Sequence, residues 1–523
     1  MRRSNQTTPS RGRNSRSKRS EPARVKSTPA PIANLPERKA DAVFICTPVM
    51  DMSRGRLLPA MQDARRDSPH LGVFLLLGHL KRAGMECDVM DWVSNPEMTC
   101  DELAAAVADY KVVFFSSNSM NWGAVRLAAT AIRKTNPTVK LCIGGPHPTM
   151  YPESVERSGL FDAYFRGEAD RYIALIYEAL MSGKRPRTMP PGLWFRTASL
   201  TRPEVNLEYN LVELDWRVDY EKVLDQSYLT LPVETSRGCK YRCAFCSIPS
   251  QTNWRSYPVD TAVNQLEYVH QHLERSKYKK ISIVDDTFTT NHQRIIDLCD
   301  RLPLDKFRGR LMYDATLLDL RNTQLVASIA PFTSDLLVGA EVSTIEDARR
   351  ITKSSSPRLI ERAAKNLSDA GISERAVFSF IIGFPWHNVD NCLHTVTFLT
   401  NLILDYGIRV YLQWYWPMPG SAIWRQLEKE DRVSIEMADT PGFYRSPQWF
   451  YSVRQITPDD LQRVDERIRP LQLCLTLSSI DKRHRPLEYS VPDLEEGFGW
   501  ETRRNPFIGP EIPNNSTLTA VSC

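Results

Sequence analysis

The sequence predicts an α/β protein built in two parts: an N-terminal Rossmann-like domain of flavodoxin-like strand order, followed by a partial (β/α)6 barrel. Three observations predict it. Short apolar runs alternate with helical periodicities from residue 41 to 183 and again from 231 to about 430, the pattern of parallel strands covered by helices. The chain has 523 residues, more than one hydrophobic core organises, so the two blocks read as separate domains. Its 42% apolar and 25% charged content is that of an ordinary globular chain, and no run reaches the ~20 apolar residues that span a bilayer.

In the first block the strands are residues 41–48 (DAVFICTP), 85–92 (MECDVMDW), 111–117 (KVVFFSS), 139–144 (VKLCIG) and 161–166 (FDAYFR). Helical patterns at 70–83, 101–109, 122–134 and 152–158 separate them, and Gly84 is the expected C-cap of the first. In the second block the strands are 231–235, 280–284, 309–312, 336–339, 377–383 and 410–414. Six β/α units make a partial barrel, where eight would close one. Residues 184–230 are rich in Pro and Arg and read as a linker; 431–523 read as a helical extension ending in a Pro-rich tail. Residues 1–40 hold eleven Lys or Arg against two acids, a surplus of nine, so the remaining chain is net negative although the whole carries +5. That stretch lacks large apolar residues and reads as a disordered, solubilising tail. No aromatic residue interleaves its charges as a nucleic-acid arm requires, so nucleic acid is not an expected partner. No apolar core follows Arg2 and Arg3, which argues against a signal peptide and for a cytoplasmic protein without a membrane partner.

Eight of the eleven cysteines are scattered and read as small buried hydrophobes or, at the terminus, a loose thiol. The other three, Cys239, Cys243 and Cys246, form C-x-x-x-C-x-x-C in SRGCKYRCAFCSIP, directly after the first barrel strand, where Gly238 permits a sharp turn. Thiolates at these spacings reach three corners of a cubane and leave one iron without a protein ligand. A structural zinc site would need a fourth ligand; the nearest histidines, His270 and His272, lie in a helical segment.

With Phe245 ahead of its last cysteine, this motif resembles the radical S-adenosylmethionine (SAM) superfamily. The rest of the barrel is similar to that family at ISIVDDTFTTN (residues 281–291), VGAEVST (338–344), ITKSSS (351–356), FIIGFPWHN (380–388) and WPMPGS (416–421). The resemblance covers about residues 231–425 and implies a 4Fe-4S cluster on Cys239, Cys243 and Cys246. The open iron is then chelated by SAM, and an external donor of flavodoxin or ferredoxin type supplies electrons. The family's Gly–Gly–Glu element is absent, and Asp285 and Asp286 stand in its place. Asp285, or else backbone carbonyls, is therefore expected at the SAM amino group; the competing reading of Asp285 and Asp286 is capping of the next helix. Glu341 and Ser343 are expected at the SAM ribose or amino-acid part.

In the first block three strand ends suit a ligand, since doubly wound sheets bind at the carboxyl ends of their strands. These are SSNSMN with Ser117 and Asn118, GGPHPT with Gly144, Gly145 and His147, and RGEAD with Gly167 and Glu168. No G-x-G-x-x-G opens a helix after the first strand, which disfavours a dinucleotide. GGPHPT followed by RGEAD resembles the cobalamin-binding domain attached to one class of radical SAM enzymes, over residues 41–183. The D-x-H-x-x-G motif that gives cobalt a histidine is absent. His147 is accordingly read as a turn residue bonded to backbone, and the loop 50–70, with Arg65 and Arg66, is expected near the lower cobalt face.

Together the two resemblances imply a cobalamin-dependent radical SAM C-methyltransferase that carries methyl from SAM by way of methylcobalamin to a carbon of a small-molecule or peptide substrate in secondary metabolism. For an electron-rich ring, Tyr313 is the candidate base; the competing reading is barrel packing. The aromatic stretch 414–416, with Trp424, either lines the substrate cavity or packs beneath the barrel. The alternatives are a cobalamin-assisted cyclase or rearrangement enzyme, and a non-catalytic cobalamin sensor with a nucleic-acid-binding tail, against which the cysteine loop argues.

Overall fold

The computed structural model describes residues 38–48, 50–53, 56–59, 69–95, 98–196, 201–207, 210–222, 228–274, 279–440, 443, 447–478, 486–493 and 499–503. The basic tail up to residue 37, and Arg65 and Arg66, lie outside them. The described parts of the 50–70 loop are a hairpin of Met50–Ser53 with Arg56–Pro59 and its last two residues, Pro69 and His70.

The N-terminal sheet forms around β1 (Ala42–Cys46), which is apolar and buried along its whole length, as an interior parallel strand must be. β2 (Asp88–Asp91), β3 (Val112–Ser116), β4 (Lys140–Gly144) and β5 (Ala163–Phe165) run parallel to it in the order β2-β1-β3-β4-β5, the flavodoxin-like arrangement the alternation predicts. Helix Leu71–Arg82 follows the predicted periodicity, and the chain leaves it through Gly84 at φ +74°. One correction concerns the linker. β6 (Leu193–Phe195) falls within residues 184–230 and pairs antiparallel with β5, Trp194 stacking on Tyr164 at 4.7 Å. Three residues are too few for periodicity to reveal a strand.

The second sheet holds the six predicted strands: β7 (Thr230–Val233), β8 (Lys280–Ile283), β9 (Leu311–Thr316), β10 (Thr333–Glu341), β11 (Ala376–Ile382) and β12 (Arg409–Trp414), all parallel and in chain order. It does not stop there. β13 (Leu487–Asp493) adds parallel to β12, and β14 (Gly499–Arg503) pairs antiparallel with β13. These residues were expected in the Pro-rich tail. Their proline content hides the Leu487, Tyr489, Val491 alternation, and Trp414 Nε1 donates to Tyr489 Oη at 2.8 Å to fix the register. The helix Pro458–Ser478 precedes β13 and packs on the helix Val389–Tyr406.

A single apolar core runs from Phe44 and Phe114 of the first sheet to Leu231 and Phe378 of the second. The C-terminal extension is pinned to the first domain by Asp439, whose carboxylate accepts from Trp122 Nε1 at 2.7 Å, Ser154 Oγ at 2.5 Å and Arg157 at 3.3 Å. Among the described residues no helix is long and apolar enough to cross a membrane.

Candidate functional site

Beyond β7 the chain forms a short antiparallel ribbon, Ser236–Arg237 with Arg255–Ser256, and the loop it closes carries the three cysteines. Gly238 opens that loop at φ +79°, and a side chain there would run into the Asn253 carbonyl. The Gln251 amide donates to the carbonyls of Cys243 at 3.4 Å and Cys246 at 2.9 Å, and Ala244 N–H donates to Ile351 at 2.8 Å. The loop is thus held by the Gln251 side chain and by a backbone bond to Ile351, and Cys239 Sγ accepts from Tyr241 N–H at 3.5 Å.

Cys239, Cys243 and Cys246 line one cavity. Among the described residues no three His, Cys, Asp or Glu side chains converge on a point that would hold a single metal ion. His272 bonds the Tyr268 carbonyl and His270 packs on Phe307, so neither completes a zinc site. Three thiols lining one cavity at the C-x-x-x-C-x-x-C spacing suit a polynuclear cluster with an open corner.

Glu341, at the end of β10, lines the same cavity within electrostatic reach of Cys243. It sits at a register shift against β11 with φ +63°, a conformation that costs a non-glycine residue of order 1–3 kcal/mol and is kept where the surroundings demand it. The strain turns the carboxylate onto Lys353 Nζ at 2.9 Å. Gly339 makes room for that pair: a methyl group there would lie 2.5 Å from Glu341 Oε1 and 2.8 Å from Lys353 Nζ. Burial opposes charge on Lys353, but Glu341 and the Cys243 thiol outweigh it and hold the ammonium above its ordinary pKa. Burial pushes the Cys243 thiol up, and Lys353 works against that shift.

Two further carboxyls line the cavity. Burial, reinforced by Asp285, lifts Asp286 to about 6. Burial, reinforced by Asp286 and Glu341, lifts Asp314 to about 7. Asp314 carries no motif in the sequence because DAT reads as an ordinary strand end; strand alternation is the available signal, since Asp314 sits between the buried Tyr313 and Ala315 and lines the cavity.

That alternation corrects Tyr313. It faces the opposite side, is fully buried, bonds Thr333 Oγ1 at 2.6 Å and packs on Phe288, so it lines neither cavity and packs the barrel. Ser343 likewise turns away and bonds Thr395 Oγ1 at 2.9 Å. Asp285 is also displaced from its expected place. It accepts from Thr235 N at 2.6 Å, Thr235 Oγ1 at 2.7 Å and Ser236 Oγ at 2.6 Å, tying β8 to the start of the cysteine ribbon, and the cavity-facing acid is its neighbour Asp286. Asn291, not either aspartate, caps the next helix. Of the aromatic residues, Trp414, Tyr415 and Trp416 line the cavity while Trp424 is core.

A second cavity lies at the carboxyl ends of β1, β3 and β4. Asn118, Gly144, Gly145, Gly167 and Glu168 line it as expected, with Arg237 of the barrel. Gly145 is at φ +97°, and a methyl group there would lie 2.7 Å from the Ser117 carbonyl oxygen, so backbone alone forms this face. Ser117 is behind the wall, its Oγ bonded to Asn121 at 3.0 Å. His147 is completely buried and stacks on Trp122 at 4.6 Å. Its ring nitrogens meet Ser119 at 3.1 Å and Ser154 at 3.3 Å, so serine hydroxyls take the place of the expected backbone partners. Burial lowers it to about 3, which keeps it neutral, and with both nitrogens engaged it offers cobalt no ligand. His70 also lines this cavity, its pKa lowered by burial, and the glycine-floored cradle around it fits a cobalamin held largely by backbone and shape. Met120, two residues on from Asn118, reaches the first cavity, so one loop borders both.

Comparison with known proteins agrees with this division. The B12 binding domain family matches residues 58–176, and the Radical SAM superfamily matches 233–399. An uncharacterized methyltransferase of Pyrococcus horikoshii is 25% identical over 375 residues, covering 68% of this chain and 78% of that one. Among solved structures, the radical SAM methyltransferase TsrM of Kitasatospora setae, with tryptophan substrate and a SAM analog bound, superposes with a TM-score of 0.59 at 15% identity, over 87% of this chain and 92% of that one. The cobalamin-dependent SAM radical enzyme OxsB, with aqua-cobalamin and SAM bound, gives 0.61 at 15% identity, over 85% and 70%. At such identities these structures speak for the fold.

Proposed function

Because the chain belongs to the cobalamin-dependent radical SAM enzymes of methyltransferase type, with cobalamin, SAM and a 4Fe-4S cluster as cofactors, we propose that it methylates a carbon atom of a small-molecule or peptide substrate of secondary metabolism lodged in the cysteine-lined cavity. The observation that carries this reading is the cavity's make-up: three thiols, the Glu341–Lys353 pair near Cys243, the aromatic residues Trp414–Trp416, and Met120 of the cobalamin domain all line it. When bound, the cluster and SAM supply one-electron chemistry, and cobalamin relays the methyl group.

The chain's own residues then hold, orient and screen. Cys239, Cys243 and Cys246 hold the cluster. Glu341 and Asp286 offer carboxylates to the SAM amino group or ribose hydroxyls, and Lys353 offers an ammonium to its carboxylate. Leu317, Leu337 and Ile381 keep water from the reacting atoms. Trp414, Tyr415 and Trp416 suit a flat or aromatic substrate, and the tryptophan bound in TsrM supports a molecule of that size. Where the acceptor must lose a proton, Asp314 is the group suited to take it, since its pKa of about 7 matches the operating pH. An external flavodoxin or ferredoxin delivers the electrons.

The test is anaerobic reconstitution with iron, sulfide and cobalamin, then reduction in the presence of methyl-labelled SAM and a metabolite extract, with mass analysis of products. A new carbon-bound labelled methyl group is the expected result. Label remaining solely in methionine and SAM defeats the proposal.

A further inference from the structure

One turn of the N-terminal domain, residues 166–170, serves two places at once. Gly167, Glu168 and Asp170 line the glycine-floored cavity, yet both carboxylates are gripped by arginines from the base of the cysteine loop. Arg237 donates to the two oxygens of Asp170 at 3.0 and 2.8 Å and to Glu168 at 3.2 Å. Arg255 donates to the two oxygens of Glu168 at 3.0 and 2.7 Å. The arginines stand opposite each other in the ribbon that closes the loop bearing Cys239, Cys243 and Cys246, and Arg237 is two residues from the first of them. Glu234, at the end of β7, accepts from Arg237 at 2.9 and 2.6 Å and lines the same cavity. All five side chains are at most 15% exposed, so water competes little for these bonds, and two-pronged Arg–carboxylate contacts fix direction as well as distance.

We infer that this latch couples the two cofactor sites, with Arg237 and Arg255 as positioning residues that transmit occupancy of the glycine-floored cavity to the cysteine loop. A corrin seated against Gly167 and Arg237 fixes the turn, the turn fixes both guanidinium groups, and these fix the ribbon from which the thiols project. Linkage makes the coupling reciprocal: the factor by which cobalamin stabilises the assembled cluster is the factor by which the cluster tightens cobalamin. The inference rests on the identity of the two cofactors and not on the methyl acceptor, so it stands or falls independently of the substrate.

The experiment needs no turnover. Hydroxocobalamin affinity is measured anaerobically by tryptophan quenching on the full chain, before and after cluster reconstitution, and iron release to a chelator is followed with and without hydroxocobalamin. In the wild-type protein the cluster is expected to tighten cobalamin at least about five-fold, with iron release slowed in parallel. Arg237→Lys and Arg255→Lys keep the charge and lose the fork; each is expected to retain full iron content while the affinity ratio falls to within about two-fold of unity. A purely structural role would lower stability or overall affinity and leave the ratio alone. Equal wild-type affinities with and without the cluster overturn the inference, and so does an undiminished ratio in Arg255→Lys. Should Arg237→Lys fail to fold, the wild-type ratio and Arg255→Lys decide the matter.

Discussion

The two cavities handle charge in opposite ways. In the glycine-floored cavity the acids Glu168, Asp170 and Glu234 are all engaged by Arg237 or Arg255. The rest of its surface is glycine backbone and apolar side chains with the uncharged Ser116, Asn118 and Asn121 and with His70, while His147 is held neutral behind it. In the cysteine-lined cavity the ammonium of Lys353 is committed to Glu341, and Asp286 and Asp314 stand buried beside other carboxyls. Burial, reinforced by those carboxyls, raises both pKa values. Ion-paired acids and glycine backbone at positive φ make a place for holding a large ligand; perturbed acids beside thiols make a place for reaction. The fold separates these tasks onto two sheets and joins them through the 117–121 loop and the Arg237 latch.

The hardest test of that division is Cys243→Ala. It should abolish cluster absorbance and reduce methyl transfer below detection, while cobalamin is still taken up, weakened only by the coupling factor. Absorbance and anaerobic cobalamin titration on one sample read both. Retained cluster absorbance, or complete loss of cobalamin uptake, would break the comparison. The reciprocal test is Gly145→Val. Its φ of +97° and the Ser117 carbonyl at 2.7 Å leave no place for a side chain. Cobalamin affinity should fall at least about ten-fold, roughly 1.4 kcal/mol, with iron content unchanged. Unaltered affinity would mean that backbone at this turn does not form the cradle.

Much of this was legible before the structure, and the remainder was hidden for identifiable reasons. The strand order of the first sheet, the six barrel strands and the cysteine loop follow from apolar periodicity and ligand spacing, both local in sequence. Gly144, Gly145 and Gly167 were visible because strand ends in an open parallel sheet point to one side. What failed was facing. Tyr313, Asp285 and Ser343 are each one or two residues from a group that lines the cavity, and a one-residue shift in a strand moves a side chain to the other face. β6 and β13 went unseen because three residues, or a proline inside a strand, give no periodic signal. The Arg237 and Arg255 contacts to Glu168 span 69 and 87 residues, and no local pattern announces a partner that far away.

The smallest effect, and the one that sharpens the comparison most, is the pH dependence that Asp314 imposes on stability. Its carboxyl titrates at about 7 in the fold and near its ordinary value of 3.8 in the unfolded chain. Between those values the folded state holds the extra proton, so stability declines as pH rises from about 4 to about 7 and levels off above. Asn cannot ionise. Asp314→Asn should therefore gain stability over wild type through that same window, reaching on the order of 2 kcal/mol at pH 8 once partial solvent access is allowed for. In a chain of this size that raises the thermal midpoint by on the order of 2 °C at pH 8 and by clearly less at pH 5. An equal shift at both pH values would mean that the side chain does not titrate in this window. The reaction cavity would then lose the feature that sets it apart from the cavity that holds its charges in pairs.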